Sequence, residues 1–118
     1  ERTQQEFIDR VSKYLEDNIA KRLTLSDICR DNLVGRSYLQ KIFREKTGGG
    51  AMEYFGTLKI DAAKRMIREG THNFTEIPAL LGYTSIHYFS RHFKKVTGMT
   101  PSEYASSVKI LATKNRTE

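Results

Sequence analysis

Apolar residues recur along this chain at three-to-four spacing and strand-like alternation is nearly absent, so the pattern predicts an all-α protein. Phe7, Ile8, Val11, Tyr14, Leu15 and Ile19 define a first helix over residues 3–21, with Thr3 and Glu6 placed as a reciprocal cap at its start. Thr24 and Asp27 restate that cap ahead of Leu25 and Ile28, predicting a short helix toward Asn32. Gly35 is read as the tight turn that follows. A third helix over residues 36–46 ends before Gly48, a residue suited to the left-handed position that closes helices. After Gly49 and Gly50 comes the longest periodic stretch, 51–68, with Tyr54, Phe55, Leu58, Ala62, Met66 and either Ala63 or Ile67 on its apolar side; it stops at Gly70.

From Gly70 the pattern repeats. Asn73 with Glu76 restates the Thr24–Asp27 box, Ile77 stands for Ile28, and Gly82 and Thr84 supply the turn. Tyr38-Leu39-Gln40-Lys41-Ile42-Phe43-Arg44 returns fifty residues later as Tyr88-Phe89-Ser90-Arg91-His92-Phe93-Lys94, and Glu53-Tyr54 returns as Glu103-Tyr104. Ile28 to Leu39 is 11 positions whereas Ile77 to Phe89 is 12, so the turn alone differs in length. The chain reads as two copies of a short helix, a tight turn and a second helix, joined by one long helix.

Such a unit can lay its second helix in a DNA major groove, although ordinary helical hairpins share the outline. Charge placement favours the former. With Leu39 and Phe43 inward, Arg36, Ser37, Gln40, Lys41 and Arg44 share an outward arc without an acid. With Phe89, Phe93 and Val96 inward, the matching arc is Ile86, His87, Ser90, Arg91 and Lys94, and no Asp or Glu occurs between Ile77 and Ser102. A merely solvated face usually mixes signs, so two such arcs point to a polyanion.

Composition agrees: Lys plus Arg number 20 against 14 Asp plus Glu, for a net charge of +6 and a pI near 9.6. A length of 118 residues suits one domain with a real core. The lone Cys29 can form neither an internal disulfide nor a metal site, which fits a reducing cytoplasm. No apolar run approaches the roughly 18 residues of a membrane span, and no signal peptide is visible. The start at Glu1 reads as a fragment of a longer protein, expected to be monomeric itself, with any dimerisation lying in a missing N-terminal domain.

Leu23-Thr24-Leu25-Ser26-Asp27-Ile28-Cys29, Ser37-Tyr38-Leu39-Gln40-Lys41-Ile42-Phe43, and Gly82-Tyr83-Thr84-Ser85 with the run from Tyr88 to Tyr104 closely resemble the DNA-binding domain of AraC/XylS-type bacterial transcription regulators. The resemblance covers about Phe7 to Ser106. It implies two homeodomain-like helix-turn-helix subdomains, about seven helices in all, whose recognition helices enter successive major-groove segments on one DNA face. The boundaries expected are 1–49 for the first subdomain, 50–69 for the linker helix, 70–107 for the second subdomain and 108–118 for a basic tail that includes Lys109, Lys114 and Arg116. The helix read over 51–68 spans roughly 27 Å, against about 34 Å between successive major-groove entries. DNA bending or tilting of the helices is expected to make up the difference.

Arg36, Gln40 and Lys41 are the candidate readers of base edges on the first helix, Arg and Lys suiting guanine and Gln adenine, with Arg44 on phosphate. On the second, Ile86 suits a thymine methyl, His87, Ser90 and Arg91 are the polar candidates, and Lys94 and Lys95 suit phosphate. Thr84 and Ser85 at its start can present hydroxyls or backbone N–H groups to a phosphate. His92, at the place of Ile42, is read as a packed core residue, and Phe43, Tyr54, Phe55, Phe89, Phe93 and Tyr104 as core aromatics. No nucleophile–base–orienter set and no ligand cluster is apparent, so neither catalysis, a cofactor nor a metal is expected. The rival reading is a helical interaction module for a protein such as RNA polymerase, which activators of the resembled family also touch; membrane-surface binding is a distant third.

Three departures from the family pattern stand out. Gly49 and Gly50 replace the apolar and capping residues that Met99 and Thr100 supply in the second copy, predicting a loose joint before the linker helix. Pro78 falls just past the first turn of a helix capped by Asn73, so that helix is expected to start late or bend. Gly35 stands where a Ser cap is usual.

Overall fold

The computed structural model describes residues 2–117, with side chains as far as residue 113. Among these residues there are seven helices and no strand: α1 (Arg2–Asp17), α2 (Leu25–Asn32), α3 (Arg36–Thr47), α4 (Ala51–Glu69), α5 (Glu76–Leu80), α6 (Ile86–Thr97) and α7 (Pro101–Thr117). The chain divides into two compact units, Glu1–Lys59 and Ile60–Glu118, and the boundary falls within α4, the stretch read as a linker.

In the first unit, α1 already includes Thr3, so that residue is not a cap. The helix also ends four residues before the expected 21. Asn18 Nδ2 donates to the Tyr14 carbonyl at 2.7 Å, a side-chain bond that competes with helix continuation. The turn beyond is then held from a distance: the Lys59 ammonium donates to the carbonyls of Ile19 at 2.6 Å and Lys21 at 2.9 Å, and lies 4.4 Å from the centre of the Phe55 ring. Burial lowers its pKa to about 8. Lys59 and its neighbour Ile60 are both buried, and neither stands out in the apolar periodicity of α4.

The core of this unit is Phe7, Ile8, Val11 and Leu15 from α1, Ile28 from α2, Leu39, Ile42 and Phe43 from α3, and Ala51 and Phe55 from α4. The predicted cap of α2 forms reciprocally: Thr24 Oγ1 accepts from Asp27 N at 3.0 Å and Asp27 Oδ2 accepts from Thr24 N at 2.9 Å. The corner after α2 corrects the sequence reading. Gly35 is extended (φ −76°), and the left-handed residue is Leu33 (φ 53°, ψ 49°), 93% exposed. Leu33 N donates to the Arg30 carbonyl and Val34 N to that of Cys29, a closure that requires a left-handed residue at position 33 whatever its side chain.

The second unit makes the same corner with a glycine. Gly82 has φ 76°, its N–H donates to the Ala79 carbonyl, and Tyr83 N donates to that of Pro78. Upstream, Asn73 Oδ1 accepts from Glu76 N at 2.8 Å and Glu76 Oε1 accepts from Asn73 N at 3.0 Å. The box therefore forms, but α5 proper begins late, at Glu76. Pro78 then sits in its first turn, where a backbone N–H has no helical partner to lose. Ile60, Ala62 and Ala63 of α4 are buried in this unit together with Ile77, Leu81, Phe89 and Phe93.

The repeat survives in atomic detail. Both α3 and α6 have 12 residues and close on left-handed glycines, Gly48 (φ 85°) and Gly98 (φ 84°). Thr47 and Thr97 donate their hydroxyls to the Phe43 and Phe93 carbonyls at 2.7 and 2.8 Å. Phe43 meets Tyr54 with ring centres 5.4 Å apart, and Phe93 meets Tyr104 at 5.7 Å. Tyr104 is held further by Arg68, which donates to its hydroxyl at 2.8 Å. Val96, expected inward, is 40% exposed, as befits the counterpart of exposed Lys46. Residues read as a tail from 108 onward continue α7; Lys109 is exposed, and the side chains of Lys114 and Arg116 lie outside the described residues.

Candidate nucleic-acid interface

Burial of Leu39, Ile42 and Phe43 turns the opposite side of α3 outward, and Phe89 and Phe93 do the same for α6. The structure thus places the predicted residues as two groups, one per unit. On α3, Arg36, Ser37, Lys41 and Arg44 are exposed and Gln40 is half-buried. On α6 and the turn before it, Thr84, Ser85, Ile86, His87, Arg91, Lys94 and Lys95 are exposed and Ser90 is half-buried. The ion pairs Lys13–Asp17, Arg30–Asp27 and Arg30–Asp31 lie away from these arcs. The cationic heads of Lys41, Arg44, Arg91, Lys94 and Lys95 are therefore open to an external anion.

Three of the predicted residues also have structural work. Arg36 donates to Ser26 Oγ at 3.1 Å, tying the start of α3 to α2. Ser85 Oγ accepts from Tyr88 N at 3.0 Å and so caps α6, leaving its O–H to donate elsewhere. Gln40 Oε1 accepts from Ala51 N at 2.9 Å, so its amide is not free as expected: it caps α4 from eleven residues away. With Glu53 Oε1 accepting from Gly50 N at 3.2 Å, that bond ties down the joint where glycines 48–50 suggested looseness.

Two side chains not singled out in the sequence join the arcs. Tyr38 and Tyr88, third residues of α3 and α6, are 42% and 50% exposed. Tyr38 packs its ring against Phe7, centres 5.1 Å apart, and Tyr88 lies parallel to His92 at 6.1 Å. Their recurrence at fifty residues was the available signal, since an inward stripe already filled by Leu39 and Phe89 has no use for them. His92 is half-buried, its Nδ1 hydrogen-bonded to the Tyr83 hydroxyl at 2.8 Å, and burial with help from nearby Lys95 holds its pKa below the usual value. Burial pushes the Tyr83 hydroxyl well above its ordinary range. Among the described residues no three His, Cys, Asp or Glu side chains gather as a metal site, and no helix is long and apolar enough to cross a membrane.

A family model described as a helix-turn-helix domain matches residues 28–107, from α2 through both turns into α7. The chain belongs to the AraC-type helix-turn-helix family. This AraC-type domain is similar to the HTH-type transcriptional activator RhaR of Yersinia pseudotuberculosis, 28% identical over 99 residues that cover 84% of this chain and 34% of the relative. It is equally similar to the transcriptional regulator YobQ of Bacillus subtilis, 28% identical over 95 residues, 80% of this chain and 39% of that one. The chain thus spans little more than a third of the curated relatives it matches. Among solved structures, a DNA-binding transcriptional dual regulator from Escherichia coli K-12 superposes with a TM-score of 0.75 at 28% identity, covering 85% of this chain and 89% of that one. The DNA-binding domain of AdpA, solved with a target DNA, has a TM-score of 0.79 at 17% identity over 86% of this chain and 92% of its own, a likeness of fold.

Proposed function

We propose that this AraC-type domain binds specific double-stranded DNA through α3 and α6, each laid in a major groove, and that it serves bacterial transcription regulation in the cytoplasm. One observation carries the reading: two helices of equal length, each closed by a left-handed glycine, present basic side chains at equivalent outward positions. Lys41 and Arg91 are placed to reach base edges, with Arg36, Ser37, Gln40, His87 and Ser90 beside them. Ile86 suits a thymine methyl. Arg44, Lys94 and Lys95 neutralise phosphate, and the hydroxyls of Thr84 and Ser85 donate hydrogen bonds to it. The rest of the regulatory logic, including activation and any contact with RNA polymerase, belongs to the whole protein.

Mobility-shift titration at several salt concentrations tests this. Log affinity is expected to fall by about 0.9 per neutralised phosphate for each decade of salt, and Arg91→Ala to relax sequence preference by roughly 1–3 kcal/mol. Salt-insensitive binding, or binding without site preference, would leave the protein-interaction module as the better reading.

A further inference from the structure

Positions 40 and 50 differ from their counterparts as a pair: Gln40 with Gly50 in the first unit, Ser90 with Thr100 in the second. Thr100 Oγ1 accepts from Glu103 N at 3.1 Å and caps α7 from its own turn. Gly50 has no hydroxyl to offer Glu53 N, and the amide oxygen of Gln40 takes the N–H of Ala51, whose counterpart Pro101 has none. A Cβ on Gly50 would stand 3.0 Å from Gln40 Oε1 and 3.2 Å from Nε2, so a side chain at 50 and the amide of 40 compete for one space.

A backbone N–H can only donate, so the atom facing Ala51 is necessarily the oxygen, and the amide cannot turn over without losing the cap. Among the described residues Nε2 has no hydrogen-bond partner, and it is not fully buried, so it is open to an outside acceptor. A two-point grip on adenine needs the amide oxygen and nitrogen side by side at the base. Here the oxygen is committed to α4.

Building on the DNA-binding reading, we infer that Gln40 reads the duplex as a hydrogen-bond donor only. It recognises guanine, whose major-groove edge offers two acceptors, and rejects cytosine on the same strand, whose edge presents a donor. The residue that fastens the recognition helix to α4 is thereby restricted in the base it can select.

Selection of sites from random duplexes tests this with the wild type, Gln40→Glu, and the triple variant Gln40→Ser, Gly50→Thr and Ala51→Pro. Gln40→Glu keeps an acceptor for Ala51 N–H at a helix N-terminus, where negative charge is favoured, and exchanges the outward donor for an acceptor. It is expected to melt with the wild type and to change one position of the selected site from guanine to cytosine, with preferences altered by roughly tenfold. The triple variant carries the second unit's arrangement, in which the first helical residue has no N–H to cap; it is expected to fold and to lose preference at that position alone. A wild-type preference there for any base other than guanine, or an unchanged site with both variants folded, overturns the inference and leaves DNA binding intact. A wild type that selects no site removes both.

Discussion

In the second unit α6 starts on Ser85, whose hydroxyl takes the Tyr88 N–H, and α7 starts on Thr100, whose hydroxyl takes that of Glu103. In the first unit the corresponding residues are Gly35 and Gly50, which have no hydroxyl to give. Fastening there comes from further along the chain: Arg36 on Ser26, Gln40 on Ala51, and Lys59 on the carbonyls of Ile19 and Lys21. The second unit keeps its caps and its outward arc on different residues, apart from Ser85. The first uses two of its outward residues for both purposes. Charge differs in the same direction, since Glu45 stands where α6 has Lys95.

The comparison can be tested by removing what the units share and then what they do not. Phe43→Ala and Phe93→Ala empty equivalent, fully buried sites, and urea titration should show losses of about 3–5 kcal/mol for each; a much smaller loss in one would mean that its core is not the matched copy described. Thr100→Ala should cost about 1 kcal/mol through the lost cap. Gly50→Ala should also destabilise, despite the gain in backbone rigidity, because the added Cβ meets the Gln40 amide at 3.0 Å. Leu33→Gly should stabilise by roughly 0.5–1 kcal/mol, since a left-handed leucine costs about 1–2 kcal/mol and glycine returns part of that as entropy; the exposed side chain offers no packing to lose. Gly35→Ser, which has open space for its Cβ, should add only a few tenths of a kcal/mol.

The smallest effect expected is on pH dependence. Folding holds the His92 imidazole below its ordinary pKa, so the unfolded chain takes up the proton first as pH falls. Stability should therefore decline as pH drops through about 6.5, and level off once the folded ring is protonated as well. His92→Ile, which copies the residue at position 42, should flatten that decline in thermal melts at stepped pH.

Features decided within three or four residues were legible in the sequence. The Thr24–Asp27 box, the closing glycines at 48 and 98, the ends of α3 and the inward aromatics all appear where the pattern puts them. Features that depend on the return of distant chain were not. Nothing near Ile19 announces that Lys59 will take its carbonyl, and nothing near Ala51 announces Gln40. The Leu33 corner was within reach: counting from Ile28 and Ile77, it aligns with Gly82, but leucine carries no mark of a left-handed backbone. The outward arcs were legible as arcs, because helical spacing alone sorts residues into sides. Which of their side chains the fold also employs was not.

The bond between Gln40 and Ala51 bears on any attempt to retarget the domain by exchanging recognition helices. Grafting residues 86–97 into 36–47 would put serine at position 40 opposite Gly50 and strand the first N–H of α4. The exchangeable part is larger than the helix laid against the bases: residues 50 and 51 have to travel with it, since Pro101 has no N–H to strand, and a library that varies position 40 alone is also, unintentionally, a library of helix caps.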